Sequence, residues 1–227
     1  MTVTITHQYV QTLRLCLVDM CRLSHRCVDY AIKAFQLGRP EIYANARENP
    51  SEMDTLQRDV TEYALEIINM EFACGDELRF AVSSLRIADA LQAMCRSAGE
   101  IAEESIRMFD DCAEVASEGP GKIGDLAIRF VRLCTVALFE EAIGHAELVL
   151  RANRNGGVFA ATFRDWCEWN RRIPRIHADS ALTVLRNVND ILQQAHEIAG
   201  AIVFWLGGPC QDLQPASHNW AVAARHA

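Results

Sequence analysis

Apolar residues recur at three-and-four spacing along nearly the whole chain, the period of one buried face on an α-helix. Read with its breakers, the pattern predicts six helices. The first spans about Thr4 to Leu37 and stops at "GRP", Gly38 to Pro40. The second spans about Ser51 to Phe72, with Ser51 placed to cap it and Glu52 and Asp54 in a first turn that favours negative charge. The third runs from Asp76 to about Ala116 and meets the strongest linker, "SEGPGKIG", Ser117 to Gly124. A fourth from Asp125 to about Ala152, a short fifth from Val158 to about Arg172, and a sixth from Asp179 to Leu206 complete the series. The tail after Gly208 reads as a loosely docked loop.

Three helices, a Gly-Pro linker and three more helices form a tandem pattern. The third and sixth helices both carry Glu-Ile-Ala, at Glu100 to Ala102 and Glu197 to Ala199, an offset of 97. At that offset Ile87 meets Val184, Ala88 meets Leu185, Leu91 meets Val188, Met94 meets Ile191, Cys95 meets Leu192 and Ala98 meets Ala195. Both helices are therefore expected to bury the same face, as a duplicated unit would. The predicted fold is all-α, two tandem three-helix repeats in one antiparallel bundle. Its divisions are 1–116, a linker at 117–124, 125–208 and a tail at 209–227.

Composition narrows the function class. The chain has 227 residues, half of them hydrophobic, and a net charge of −8. An acidic chain without a basic stripe argues against nucleic-acid binding. The apolar run Ile198 to Gly208 is too short to span a bilayer, and "MTVTITHQYV" lacks the basic-then-apolar order of a signal peptide. Nine cysteines include no C-x-x-C pair. Most sit in apolar stripes, where cysteine behaves as a small hydrophobe, and a reducing cytoplasmic compartment is expected.

The stretch "LRIADALQAMCRSAGEIAE", Leu85 to Glu103, resembles the repeat motif L-K-I-A-x-D-L-E-R-I-G-D-x-A-x-N-I-A-E of the PhoU phosphate-signalling regulators. It agrees at Leu85, Ile87, Ala88, Leu91, Ala98, Ile101, Ala102 and Glu103, and "ELR" at Glu77 to Arg79 is similar to the family's "dLR". The second helix is similar at Glu52, Asp54, Leu56, Arg58 and Ala64, and the second copy at Ala195, Ile198, Ala199 and Gly208. The resemblance implies a non-enzymatic cytoplasmic adaptor, with no cofactor of its own. Its partners would be the phosphate ABC transporter's ATPase and a sensor histidine kinase, damping phosphate uptake and the starvation response. It implies a homodimer that is peripheral to the membrane at most.

The family's motif also offers carboxylates to a metal cluster, as hard oxygen donors suited to iron, magnesium or calcium. Here those positions hold Gln92, Arg96 and Glu100 in the first copy and Asn189, Gln193 and Glu197 in the second. Arg96 would repel a cation and is expected to pair with Glu100 one turn on. The residues thus argue against the metal that the resemblance implies. Two other readings stand beside the regulator: a metal-binding helical bundle, and a scaffold that keeps the fold but serves another partner.

Further candidates are Cys21 with His25, four apart, and Glu140 and Glu141 with His145, which lacks the second half a di-iron bundle needs. Partner contacts are expected at Trp166 and Trp169 in "RDWCEWNRRIPR" and on an acidic stripe of Glu41, Glu48, Glu52, Asp54 and Glu62. No phosphate loop and no catalytic triad spacing is visible.

Overall fold

The computed structural model describes residues 2–46, 50–71, 73, 75–108, 120–153 and 175–207. Seven α-helices and no strand lie among them. They are α1 (Thr2–Leu37), α2 (Glu41–Ala46), α3 (Pro50–Ile68), α4 (Gly75–Arg107), α5 (Pro120–Phe139), α6 (Ile143–Asn153) and α7 (Arg175–Trp205). The expected all-α bundle is observed.

Helix ends follow from local chemistry. Gly38 has φ 59°, and Arg39 N–H donates to the Ala34 carbonyl at 2.9 Å. That is a Schellman stop with glycine in the left-handed position. Pro50 opens α3, so Ser51 lies inside the helix instead of capping it. Proline suits the first turn because its missing N–H would have no partner there. The same rule corrects the expected linker: α5 begins at Pro120, so its second half is helix.

The expected fourth helix is two. Glu140 to Ala142 break it, with Glu141 left-handed at φ 51° and Ala142 N–H donating to the Ala137 carbonyl at 3.1 Å. A non-glycine residue there costs about 1–2 kcal/mol. An Arg14–Glu141 ion pair at 2.5 Å holds it from α1. No glycine or proline marks the break, and apolar spacing runs straight through it. The short α2 was also not expected. The expected fifth helix and the tail lie outside the described residues, as does 109–119, which includes the expected end of the third helix.

Cross-links fix the directions of the helices. Ser83 on α4 donates to the Ala201 carbonyl on α7 at 3.0 Å, and Arg86 pairs with Glu197 at 3.1 Å. Numbers rise on one helix as they fall on the other, so α4 and α7 are antiparallel. By the same test α3 is antiparallel to α4 (Gln57 to Asp89, Asp54 to Gln92). α5 is antiparallel to α1 (Gln36 to Asp125, Arg14 to Glu141). Arg14 and Ser24 of α1 meet Phe80 and Met94 of α4, numbers rising together, so α1 runs parallel to α4, and α5 parallel to α7. The parallel pairs α1–α4 and α5–α7 meet along α4 and α7.

The duplicated face is buried in both copies. Ile87, Ala88, Leu91, Met94, Ala98, Ile101 and Ala102 are in the core, and so are Val184, Leu185, Val188, Ile191, Ala195, Ile198 and Ala199. One pair differs: Leu192 is buried, whereas its counterpart Cys95 is only half-buried.

Candidate functional site

A groove of about 690 Å³ lies on the first half of the bundle. Leu23 and Cys27 of α1, Tyr43 of α2 and Met53 and Asp54 of α3 form its sides. The α4 face that supplies Gln92, Cys95, Arg96 and Glu100 completes it. Gly38 turns the chain after α1 and lets α2 fold over this end.

Within the groove three side chains form one chain of hydrogen bonds. Arg96 Nη1 donates to Gln92 Oε1 at 2.9 Å, and Gln92 Nε2 donates to Asp54 Oδ1 at 2.8 Å. Arg96 therefore turns back toward Gln92; the bond drawn is not the expected one to Glu100. A second amide–carboxylate link, Gln57 Nε2 to Asp89 Oδ1 at 2.7 Å, joins the same two helices one turn away.

This network decides the metal question on donor chemistry. An amide binds a cation through its oxygen, and the Gln92 oxygen is already an acceptor from a guanidinium. The adjoining Arg96 cation opposes a metal ion directly. Asn189, Gln193 and Glu197 lie on α7 outside this groove, and Glu197 is engaged by Arg86. No group of three or more His, Cys, Asp or Glu is arranged to hold an ion among the described residues. These residues do not fit a multinuclear cluster.

The other sequence candidates separate. Cys21 is buried; burial pushes its thiol up to about 12, although Thr135 bonds it from α5. A thiol that stays protonated is a poor ligand, and His25 on α1 does not complete a site with it. Glu141 is the Arg14 partner at the α5–α6 break. Glu52 and Glu62 are exposed on α3, and Glu41 pairs with Arg39 at 2.8 Å. Glu48, Trp166 and Trp169 lie outside the described residues. Arg86, the only cation ion-paired across α4 and α7 among the described residues, was not anticipated. Both partners are over a third exposed, so Arg86→Ala is expected to cost under about 1 kcal/mol, which thermal unfolding would measure.

The PhoU domain family model matches residues 17–105, from α1 to the end of α4. Residues 17–105 are similar to a PhoU domain. The structure extends the likeness beyond the matched stretch. It superposes on the crystal structure of PhoU from Pseudomonas aeruginosa with a TM-score of 0.77 at 17% identity. The alignment covers 88% of this chain and 98% of that one. At that identity the likeness establishes a shared fold, including the second half. No curated protein sequence matches the chain. All but Ile106 of the groove's lining falls within the matched stretch, and its Gln92–Arg96 pair occupies positions where the similar family motif has carboxylates.

Proposed function

We propose that this protein is a non-enzymatic regulator of phosphate uptake and phosphate-starvation signalling. It acts by binding partners through helix faces. The observation that carries this reading is the PhoU domain match over residues 17–105 within a PhoU-like fold. The proposed partners are the ATPase of a phosphate ABC transporter and a sensor histidine kinase, with the protein cytoplasmic and homodimeric. No helix among the described residues is long and apolar enough to cross a membrane. The acidic, exposed face of α3 with Glu52 and Glu62 suits a basic partner surface, and Trp166 and Trp169 remain proposed contacts. The two three-helix units, 1–116 and 125–208, are proposed as the repeats, with 209–227 as a tail.

The test is capture of the tagged full chain from its native host under phosphate excess. Retention of the transporter ATPase, together with raised phosphate uptake on deleting the gene, is the expected result. Normal uptake after deletion, with neither partner retained, would replace the regulator by a scaffold that serves another partner. The Arg96–Gln92–Asp54 chain favours that second reading, because it departs from the family's motif inside the groove. Elemental analysis of protein purified without chelators is expected to give substoichiometric iron, manganese and zinc. One equivalent or more would reinstate the metal-binding bundle.

A further inference from the structure

Two thiols meet in the groove. Cys27 of α1 and Cys95 of α4 both line it, both are half-buried and both are free. Their side chains are hydrogen-bonded to each other. The duplication makes the position unusual: the second copy has Leu192 where Cys95 stands, and buries it. Cys95 is thus the half-buried member of that pair, and it lines the groove. The remaining described cysteines are placed differently. Cys21 and Cys134 are core residues, and the Cys134 thiol donates to the Ala195 carbonyl at 3.2 Å. Cys16 is half-buried beside Asp59 and Asp19.

We propose that Cys27 and Cys95 are a redox-active dithiol site, oxidised by hydroperoxides entering the groove to a disulfide that ties α1 to α4. Cys27 is the attacking sulfur. The Cys95 thiol donates to it and the Arg26 cation lies near, so its thiol is held below the ordinary value, while Cys95 is raised. Burial, Asp59 and Asp19 move Cys16 the other way.

The electron count closes. The Cys27 thiolate attacks the outer oxygen of ROOH and the O–O bond breaks. Alkoxide leaves and takes up the thiol's proton as ROH, giving Cys27 sulfenic acid. The Cys95 sulfur then attacks the Cys27 sulfur and the S–O bond breaks. Hydroxide leaves with the Cys95 proton as water. Two thiols have lost two electrons and two protons, and one peroxide bond is reduced. A dithiol reductant reverses the step by exchange. The site does not depend on which partner the protein serves, and a transient disulfide of this kind suits a reducing compartment.

The test uses the full reduced chain treated with hydrogen peroxide, followed by alkylation and peptide mapping. The expected product links the Cys27 peptide to the Cys95 peptide and leaves Cys16, Cys21 and Cys134 alkylated. Cys95→Ser should stop at a Cys27 sulfenic acid that dimedone traps, and Cys27→Ser should leave Cys95 reduced. Circular dichroism checks that both variants remain helical. On the unmodified protein, iodoacetamide at neutral pH should label Cys27 at least about 10-fold faster than Cys16. Separate alkylated Cys27 and Cys95 peptides after peroxide, a link to any other cysteine, or equal labelling of Cys16 and Cys27 would overturn the proposal.

Discussion

Phe80→Ala is expected to lower the unfolding free energy by about 3–5 kcal/mol. That corresponds to a fall in Tm of roughly 6–20 °C for a chain of this length. Phe80 is 2% exposed and sits where α1, α4, α5 and α7 converge. The Trp205 ring packs against it at 4.7 Å between centroids and 49° between planes, a tilted arrangement that adds to area burial. The Arg14 guanidinium lies over both rings, at 5.6 Å and 5.7 Å from their centroids. The same arginine holds left-handed Glu141, so the ring pair supports the α5–α6 break as well as the core. A cavity of about 100 Å³ already borders Phe80 and Trp205. Removing the ring would enlarge it, and helices anchored from four directions cannot collapse to refill it. Val82→Ala, two residues on and 41% exposed, should stay within about 0.5 kcal/mol. Thermal and urea unfolding of both variants provide the check. A Tm loss under about 2 °C for Phe80→Ala would place that ring outside the core.

Periodicity reveals a helical face but neither its breaks nor its register against a neighbour. The shared face of α4 and α7 was legible because its residues repeat in type and spacing. The end of α1 was legible because Gly38 does what glycine does after a helix. The α5–α6 break was not, because its left-handed residue is a glutamate held by Arg14, which is 127 positions away. The groove shows the same division. Gln92 and Arg96 stood out by position in the motif. Their engagement with Asp54 appears only once α3 lies antiparallel to α4 with Asp54 opposite Gln92. Cys27 and Cys95 read as two core thiols until the parallel register of α1 and α4 brings them together. Residues 17–105 carry enough motif to match the PhoU domain model, whereas the second half is similar to that family by shape alone.

Gly124→Val should carry the next largest cost, about 2–3 kcal/mol from overpacking, or a fall in Tm of roughly 4–12 °C. In the sequence this glycine closes the apparent linker "SEGPGKIG". In the structure it is a buried helical residue of α5 against α1. A Cβ built there would lie 2.7 Å from Ile32 Cγ2, with two more Ile32 atoms at 3.6 and 3.7 Å. Ile32 is itself 2% exposed, so it has little room to withdraw. Beside this contact Gln36 Nε2 donates to the Gly121 carbonyl at 3.0 Å and to Asp125 Oδ1 at 2.8 Å. The helices are therefore pinned at the crossing and cannot easily slide apart. Gly124→Ala already makes the first methyl clash, which outweighs a helix-propensity gain of about 1 kcal/mol, and should be mildly destabilising. Valine adds two further methyls and stiffens χ1, so it should cross into clear loss. Ile32→Ala removes the opposing Cγ2, and the double variant should be more stable than the sum of the singles by about 0.5–3 kcal/mol. Additive losses, or an unchanged Tm for Gly124→Val, would mean that α1 and α5 do not meet at this glycine.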